Sequence, residues 1–220
     1  MSDSTRISDE SNPPQWLRWA REIQALAQSG YHFAEDEYQR ARYQRLNEIA
    51  AEIIRSHSDL EYQPIVDLFN EQMGYATPRV DVRGAVFFDG KILLVRERED
   101  GGWTLPGGWA DVGDVPSQAA EREVWEEAGF HVKASSVVGI YDANRLPPLE
   151  LFHAFKIVFL CDLIDGYGRP SRETSEVAFF EFEQVPSELS GERTHPRHIM
   201  DAFNAYSDRS KPTNFDRVVD

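Results

Sequence analysis

The sequence predicts an α+β fold in which an all-α N-terminal extension precedes a mixed sandwich of strands and helices. Three observations predict it. Apolar residues recur at three- and four-residue steps through most of the first third; strict alternation takes over in VDVRGAVFF from Val80; and one central and one late helical stretch interrupt the strands that follow.

Taken in order, residues 1–12 are polar and without period, as a disordered tail would be. From Pro13 to about Ser29, Trp16, Leu17, Trp19, Ala20, Ile23, Leu26 and Ala27 mark an amphipathic helix that Gly30 is expected to end. A second helix is expected from about Ala34 to Ser56, with Tyr38, Ala41, Leu46, Ile49, Ala50, Ile53 and Ile54 as its apolar stripe. A third runs from about Leu60 to Met73 and stops at Gly74. These helices make an N-terminal domain, residues 13–76, that reads as a packing or dimerisation element, so a homodimer is expected. Residues 1–78 hold seven Arg, no Lys and thirteen Asp plus Glu, so they carry no basic footprint for DNA.

The second domain is expected over residues 77–208. Asp89-Gly90 makes a hairpin turn into KILLVRE, and Gly101-Gly102 another into WTLPGG. Pro116 opens a helix that lasts until Gly129. Strands follow at about 132–142, 152–163 and 177–183, then a helix at 196–207, and residues 209–220 form a loose tail.

A hydrophobic fraction of 41% suffices for a sizeable core, while a formal net charge of -15 argues against passive binding to nucleic acid or anionic lipid. A polyanionic substrate would need divalent metal. The lone cysteine, Cys161, lies in the apolar run FKIVFLCDLI and reads as a buried thiol in a reducing compartment. The N-terminus lacks an apolar signal region and nowhere do 18 apolar residues run together, so no membrane span is expected and the cytoplasm is the expected location.

The chemistry concentrates in GGWADVGDVPSQAAEREVWEEAGF, residues 107–130. At 100° per residue Glu123, Glu126 and Glu127 share one arc of a helix, beside the small apolar stripe Ala120, Val124 and Ala128. Acids so spaced repel, so either water screens them or a cation needs them. Hard oxygen ligands at fixed spacing suit Mg²⁺, or Mn²⁺ as an alternative, with phosphate oxygens completing the shell. Arg122, four residues before Glu126, can hold that carboxylate. Glycines 107, 108 and 113 precede the helix where backbone must bend and approach something closely, and a glycine carbonyl can be a metal ligand.

These residues resemble the Nudix box, G-x5-E-x7-R-E-U-x-E-E-x-G-U, with U a bulky apolar residue. Gly108, Arg122, Glu123, Val124, Glu126, Glu127, Gly129 and Phe130 match, and Asp114 stands where the box carries its first glutamate. The shorter acid is expected to loosen the loop or alter metal occupancy rather than abolish activity. The resemblance covers about residues 80–190 and implies an α/β/α sandwich that hydrolyses a nucleoside diphosphate linked to another moiety. It implies Glu123, Glu126 and Glu127 as metal ligands with the carbonyl of Gly107 or Gly108, Glu123 and Glu126 at the catalytic centre, and Arg122 as orienting residue. It also implies a late-loop acid six residues before an aromatic: Glu173, before Phe179, is first choice and Glu176 second.

The N-terminal helices with this box resemble a Nudix subgroup that includes CDP-choline and ADP-ribose pyrophosphatases. By that analogy Arg145, His153 and Lys156 face the substrate, although strand alternation puts His153 and Phe155 on one side and Ala154 and Lys156 on the other. Pro147 and Pro148 lie near the position of a proline that ADP-ribose enzymes carry. Trp103, Trp109, Phe152 and Phe155 could stack on a base or pack in the core, and core packing is expected. Two other functions compete: an RNA-end pyrophosphatase or exonuclease, which needs a basic groove and for which the local patch Arg193, His195, Arg197 and His198 is the candidate, and a nucleotide-sensing binding module, which retention of all three glutamates disfavours.

Overall fold

A computed structural model of the chain describes residues 14–72, 74–143, 153–191 and 193–217. The described residues fall into two compact units, one holding 14–78 with His153 and the other 79–143 with 154–217. The first twelve residues, expected to form a tail, lie outside the described residues, as do Arg145, Pro147, Pro148 and Phe152.

The helical unit consists of α1 (Gln15–Phe33), α2 (Glu37–Ser56) and α3 (Tyr62–Asn70). Ala20, Ala50, Ala51, Ile54, Ile65 and Phe69 form its core. Asp36 caps α2 by accepting the Gln39 N–H at 2.7 Å, satisfying one of the donors that a helix start leaves open. Gly30 does not end the first helix, contrary to expectation. A Cβ there would lie 2.2 Å from the Tyr43 ring, so the glycine serves the close approach of α2, and α1 continues to Phe33. Small residues inside helices are ambiguous in this way: the same atom deficit permits a break or a contact.

The second unit is an α/β/α sandwich. Its strands are β1 (Arg79–Phe88), β2 (Lys91–Glu97), β3 (Trp103–Thr104), β4 (Gly107–Trp109), β5 (Phe130–Asp142), β6 (Ala154–Gly166), β7 (Thr174–Phe180) and β8 (Asn214–Phe215). Its helices are α4 (Pro116–Ala128) and α5 (Pro196–Ser207). The main sheet runs β3-β2-β1-β6-β5-β8, with β4 also pairing with β1 and β7 with β2. β1 and β6 are parallel and in register from Arg79↔Ala154 to Phe87↔Asp162.

Alternation along β1 divides the core. Val82 and Val86 face α4 with Ala119, Ala120, Val124 and Ala128, whereas Ala85 and Phe87 face α5 with Ile199 and Ala202. Cys161 is buried in the α4 layer, and burial pushes its thiol up to about 12, which leaves it unreactive. The C-terminal tail is not loose through its described part: β8 runs parallel to β5, and Asp216 accepts the Asp142 N–H at 2.7 Å and an Arg197 N–H at 2.8 Å. Two-residue strands carry too little periodicity to be read from sequence.

Candidate active site

The loop before α4 is built around Gly107, whose φ of 149 lies in the region L side chains avoid and whose added Cβ would stand 2.0 Å from the Val82 carbonyl oxygen. β4 is thereby laid against β1, with Arg83 opposite Gly107 and Val82 opposite Gly108. Behind it, α4 approaches β1 just as closely, since a Cβ on Gly84 would meet Val124 Cγ2 at 2.4 Å. Gly129 in the left-handed conformation ends α4, its N–H donating to Trp125 O at 3.0 Å.

Two contacts tie loop to helix. The Gly107 N–H donates to Glu127 Oε2 at 3.0 Å, and Gly108 lies beside Glu123, so close that a Cβ there would be 3.4 Å from Glu123 Oε2. Glu127 is only 5% exposed. Burial raises its pKa to about 8, offset in part by Arg83 and the Gly107 N–H and reinforced by Glu97 and Glu123. Burial also raises Glu123, against which the Arg122 guanidinium works.

Arg122 gathers the outer acids, reaching Glu123 at 2.7 Å, Glu126 at 3.3 Å and Asp114 at 3.3 Å. Asp114 also accepts the Asp111 N–H at 3.1 Å, so the shorter acid still braces the loop and reaches the arginine. Glu126 remains largely exposed. Among the described residues no group of three or more His, Cys, Asp or Glu converges so as to hold a metal ion. Glu123 is brought to Gly108, Glu127 is turned to the Gly107 N–H, and Glu126 is turned to Arg122. The donor set nevertheless fits a hard divalent cation: Glu123 and Glu127 are carboxylate oxygens held against the glycine turn, whose carbonyls are further oxygen donors.

Glu97 extends this acidic set, and sequence reading missed it. It ends β2 at 5% exposure, and burial, with repulsion from Asp100 and Glu173, raises its pKa against the pull of Arg193 and Arg83. Only its position at the end of an apolar strand signalled it. Glu173 is exposed and close enough to perturb Glu97. Glu176 is instead paired with Arg96 at 2.7 Å. The late loop is pinned to α4 by buried Thr174, whose hydroxyl donates to the Glu127 carbonyl at 2.9 Å.

Of the expected substrate residues, Arg145 lies outside the described residues and His153 is exposed just before β6. Lys156 is 2% exposed and paired with Asp81 at 2.9 Å on the α5 side, which is no position for a solvent-facing contact. Within β6 the alternation puts Ala154 and Lys156 in the interior and Phe155 on the exposed side. Trp103 packs edge-on against Phe180 at 4.9 Å, but Trp109 and Phe155 are exposed at 45% and 40% rather than in the core. Trp109 follows the glycine turn on β4, with the Arg79 guanidinium 5.7 Å from its ring centre.

Residues 14–69 match a family model described as a UDP-X-like, N-terminal oligomerisation domain, and residues 78–203 match the NUDIX domain. A Bacillus subtilis protein whose name provisionally makes it an ADP-ribose pyrophosphatase is 37% identical over 91% of this chain and 97% of its own. An ADP-ribose pyrophosphatase of Methanocaldococcus jannaschii is 33% identical over 51% of this chain and 67% of its own. Among solved structures, a UDP-X diphosphatase superposes with a TM-score of 0.60 at 30% identity, covering 91% of this chain and 98% of that one.

Proposed function

The chain belongs to the NUDIX family of hydrolases, and on that premise we propose that it is a Mg²⁺-dependent pyrophosphohydrolase, Mn²⁺ serving as an alternative ion. It splits a nucleoside diphosphate joined to a second moiety into a nucleoside monophosphate and the phosphorylated remainder. Hydrolysis of a nucleoside diphosphate derivative is supported by the relatives; the ion, the products and the choice among ADP-ribose, CDP-choline and UDP-linked compounds are the finer reading. The observation that carries it is the clasp of the glycine turn on α4, with Glu127 on the Gly107 N–H and Glu123 beside Gly108.

Glu123, Glu126 and Glu127, with the carbonyl of Gly107 or Gly108, would hold the ion. Bound there, a divalent ion supplies charge neutralisation for the diphosphate and lowers the pKa of a coordinated water. Glu126 must swing from Arg122, which its exposure permits at little cost. Arg122 keeps Asp114 and Glu123 in place meanwhile. Glu173, on a loop pinned to α4 through Thr174, accepts the proton of the attacking water, whereas Glu176 is spent on Arg96. Arg145 is kept as a proposed substrate contact, and exposed Trp109 offers a ring to a base.

The rival functions lose support. Arg193 is taken up by Glu97, Glu99 and Asp100, Arg197 by Asp216, and His198 is buried, so these residues form no open basic groove. A pure sensor has no need of the full glutamate set.

The helical unit makes the protein a homodimer in this reading. Trp19, Leu26 and Phe33, spaced seven apart on α1, are 55%, 62% and 66% exposed, an apolar stripe suited to a second copy. No helix among the described residues is long and apolar enough to cross a membrane, and the cytoplasm is the proposed location.

The test is a panel of ADP-ribose, CDP-choline, UDP-sugars and nucleoside triphosphates with Mg²⁺ or Mn²⁺, scored by product mass. Cleavage between the two phosphates of a diphosphate compound is expected; hydrolysis of triphosphates alone would refute the assignment. Light scattering of Leu26→Asp, expected to be monomeric, tests the dimer.

A further inference from the structure

We infer that Arg83 is a positioning residue for the diphosphate site, holding the glycine turn at the height the carboxylates need, with Asp81 and Lys156 as the groups that aim it. The inference rests on the metal-dependent reading above.

Arg83 and Asp81 lie two apart on β1, so strand alternation puts both on one face. The guanidinium holds Asp81 as a fork, Nε and Nη2 each donating at 2.8 Å, and Lys156 Nζ reaches the same carboxylate at 2.9 Å from the neighbouring strand. All three are buried, at 3%, 4% and 2% exposure. Burial alone would raise the Asp81 pKa, but the two cations outweigh it and hold the carboxyl below its usual value.

Two cations and one anion in a sheet interior are a poor choice for stability alone, because desolvation cancels much of the attraction and apolar residues of the same volume serve as well. What they do beyond packing is directed at the turn. Arg83 Nη1 donates to the Leu105 carbonyl at 3.2 Å, and its stem lies where any side chain on Gly107 would have to be. Gly84 N–H donates to the Pro106 carbonyl at 2.9 Å. The turn from Leu105 to Gly108 is therefore fixed from the β1 side by Arg83 and Gly84 and from the α4 side by Glu127. Glu127 and Glu97 also act on Arg83, so the guanidinium is linked to the carboxylates on both sides of the turn. Lysine could replace the charge but not the fork, which bonds a carboxylate and a carbonyl at once.

The experiment measures Mn²⁺ binding to the purified full chain by titration without substrate, so turnover is not the readout. Arg83→Lys is expected to weaken Mn²⁺ affinity about tenfold or more, the usual cost of disturbing a group that orients metal ligands. Leu160→Ala, a core truncation on the same sheet face, is expected to lower the melting temperature and leave Mn²⁺ affinity unchanged. Should Arg83→Lys not fold, Lys156→Met keeps the fork and removes one aiming cation, and is expected to weaken Mn²⁺ in the same direction by a smaller factor. Unchanged affinity in whichever of these variants folds, or equal weakening by Leu160→Ala, overturns the inference while the metal site stands. Absence of Mn²⁺ binding by the wild-type chain overturns both.

Discussion

Helices α4 and α5 both start with proline and both cover the central sheet, yet they are built for different ends. α4 meets β1 through Ala119, Ala120 and Val124 over Gly84, so near that its polar edge touches the backbone of the glycine turn. α5 stands on bulkier side chains, Ile199 and Phe203 against Phe87, and its polar groups close on one another. Tyr141 donates to Asp201 at 2.9 Å, and His198 accepts the His195 N–H at 3.1 Å. Small residues bring charge to a place where it can act; large ones seal charge away.

The sharpest way to break this contrast is to restore a Cβ in the turn. Gly107→Ala, forced against the Val82 carbonyl at an unfavourable φ, is expected to cost about 3 kcal/mol or more and to abolish turnover, as thermal unfolding and product assays would show. Gly84→Ala comes next. The overpacking against Val124 should cost about 1–3 kcal/mol and, by lifting α4 from β1, reduce turnover with it.

Among the contacts that α5 itself makes, stability and activity should part. Tyr141→Phe takes the hydroxyl donor from the buried Asp201 carboxyl, leaving it Arg197 at 3.8 Å, and is expected to cost about 1–3 kcal/mol with turnover unchanged. His198 sharpens the point through pH. Burial, with Lys156, His195 and Arg197 nearby and Asp81 opposing, holds its pKa well below 6.5. The unfolded chain therefore binds the proton that the folded chain refuses. Stability from this group is complete above about pH 6.5 and falls as pH drops, by up to about 1.4 kcal/mol per unit. Denaturant titrations should show this slope flattened in His198→Gln. The smallest effect belongs to Glu176→Gln, which loses an exposed pair worth less than about 1 kcal/mol and should leave turnover intact.

How much of this was legible in the sequence follows the same contrast. Loop and α4 could be read because glycines, Pro116 and the spaced acids each impose a local conformation that tertiary packing does not overrule. The α5 face was harder. Alternation set Lys156 apart from His153, but whether that side met solvent or a helix depends on residues forty positions away, and Lys156 proved buried on Asp81. Asp81 and Arg83 went unread, because the reach of Arg83 to Leu105 depends on the β1–β4 pairing. Glu97 carried no period, and Trp109 looked like core because its ring is large, although it is exposed.

The central claim is that the α4 carboxylates serve a divalent ion rather than merely decorating a helix. Glu126→Gln tests it most directly, because that side chain is 54% exposed and its bond to Arg122 is an exposed one. With Mg²⁺ and the best diphosphate substrate, hydrolysis is predicted to fall about a hundredfold or more at an unchanged melting temperature. Hydrolysis at the wild-type rate would contradict it.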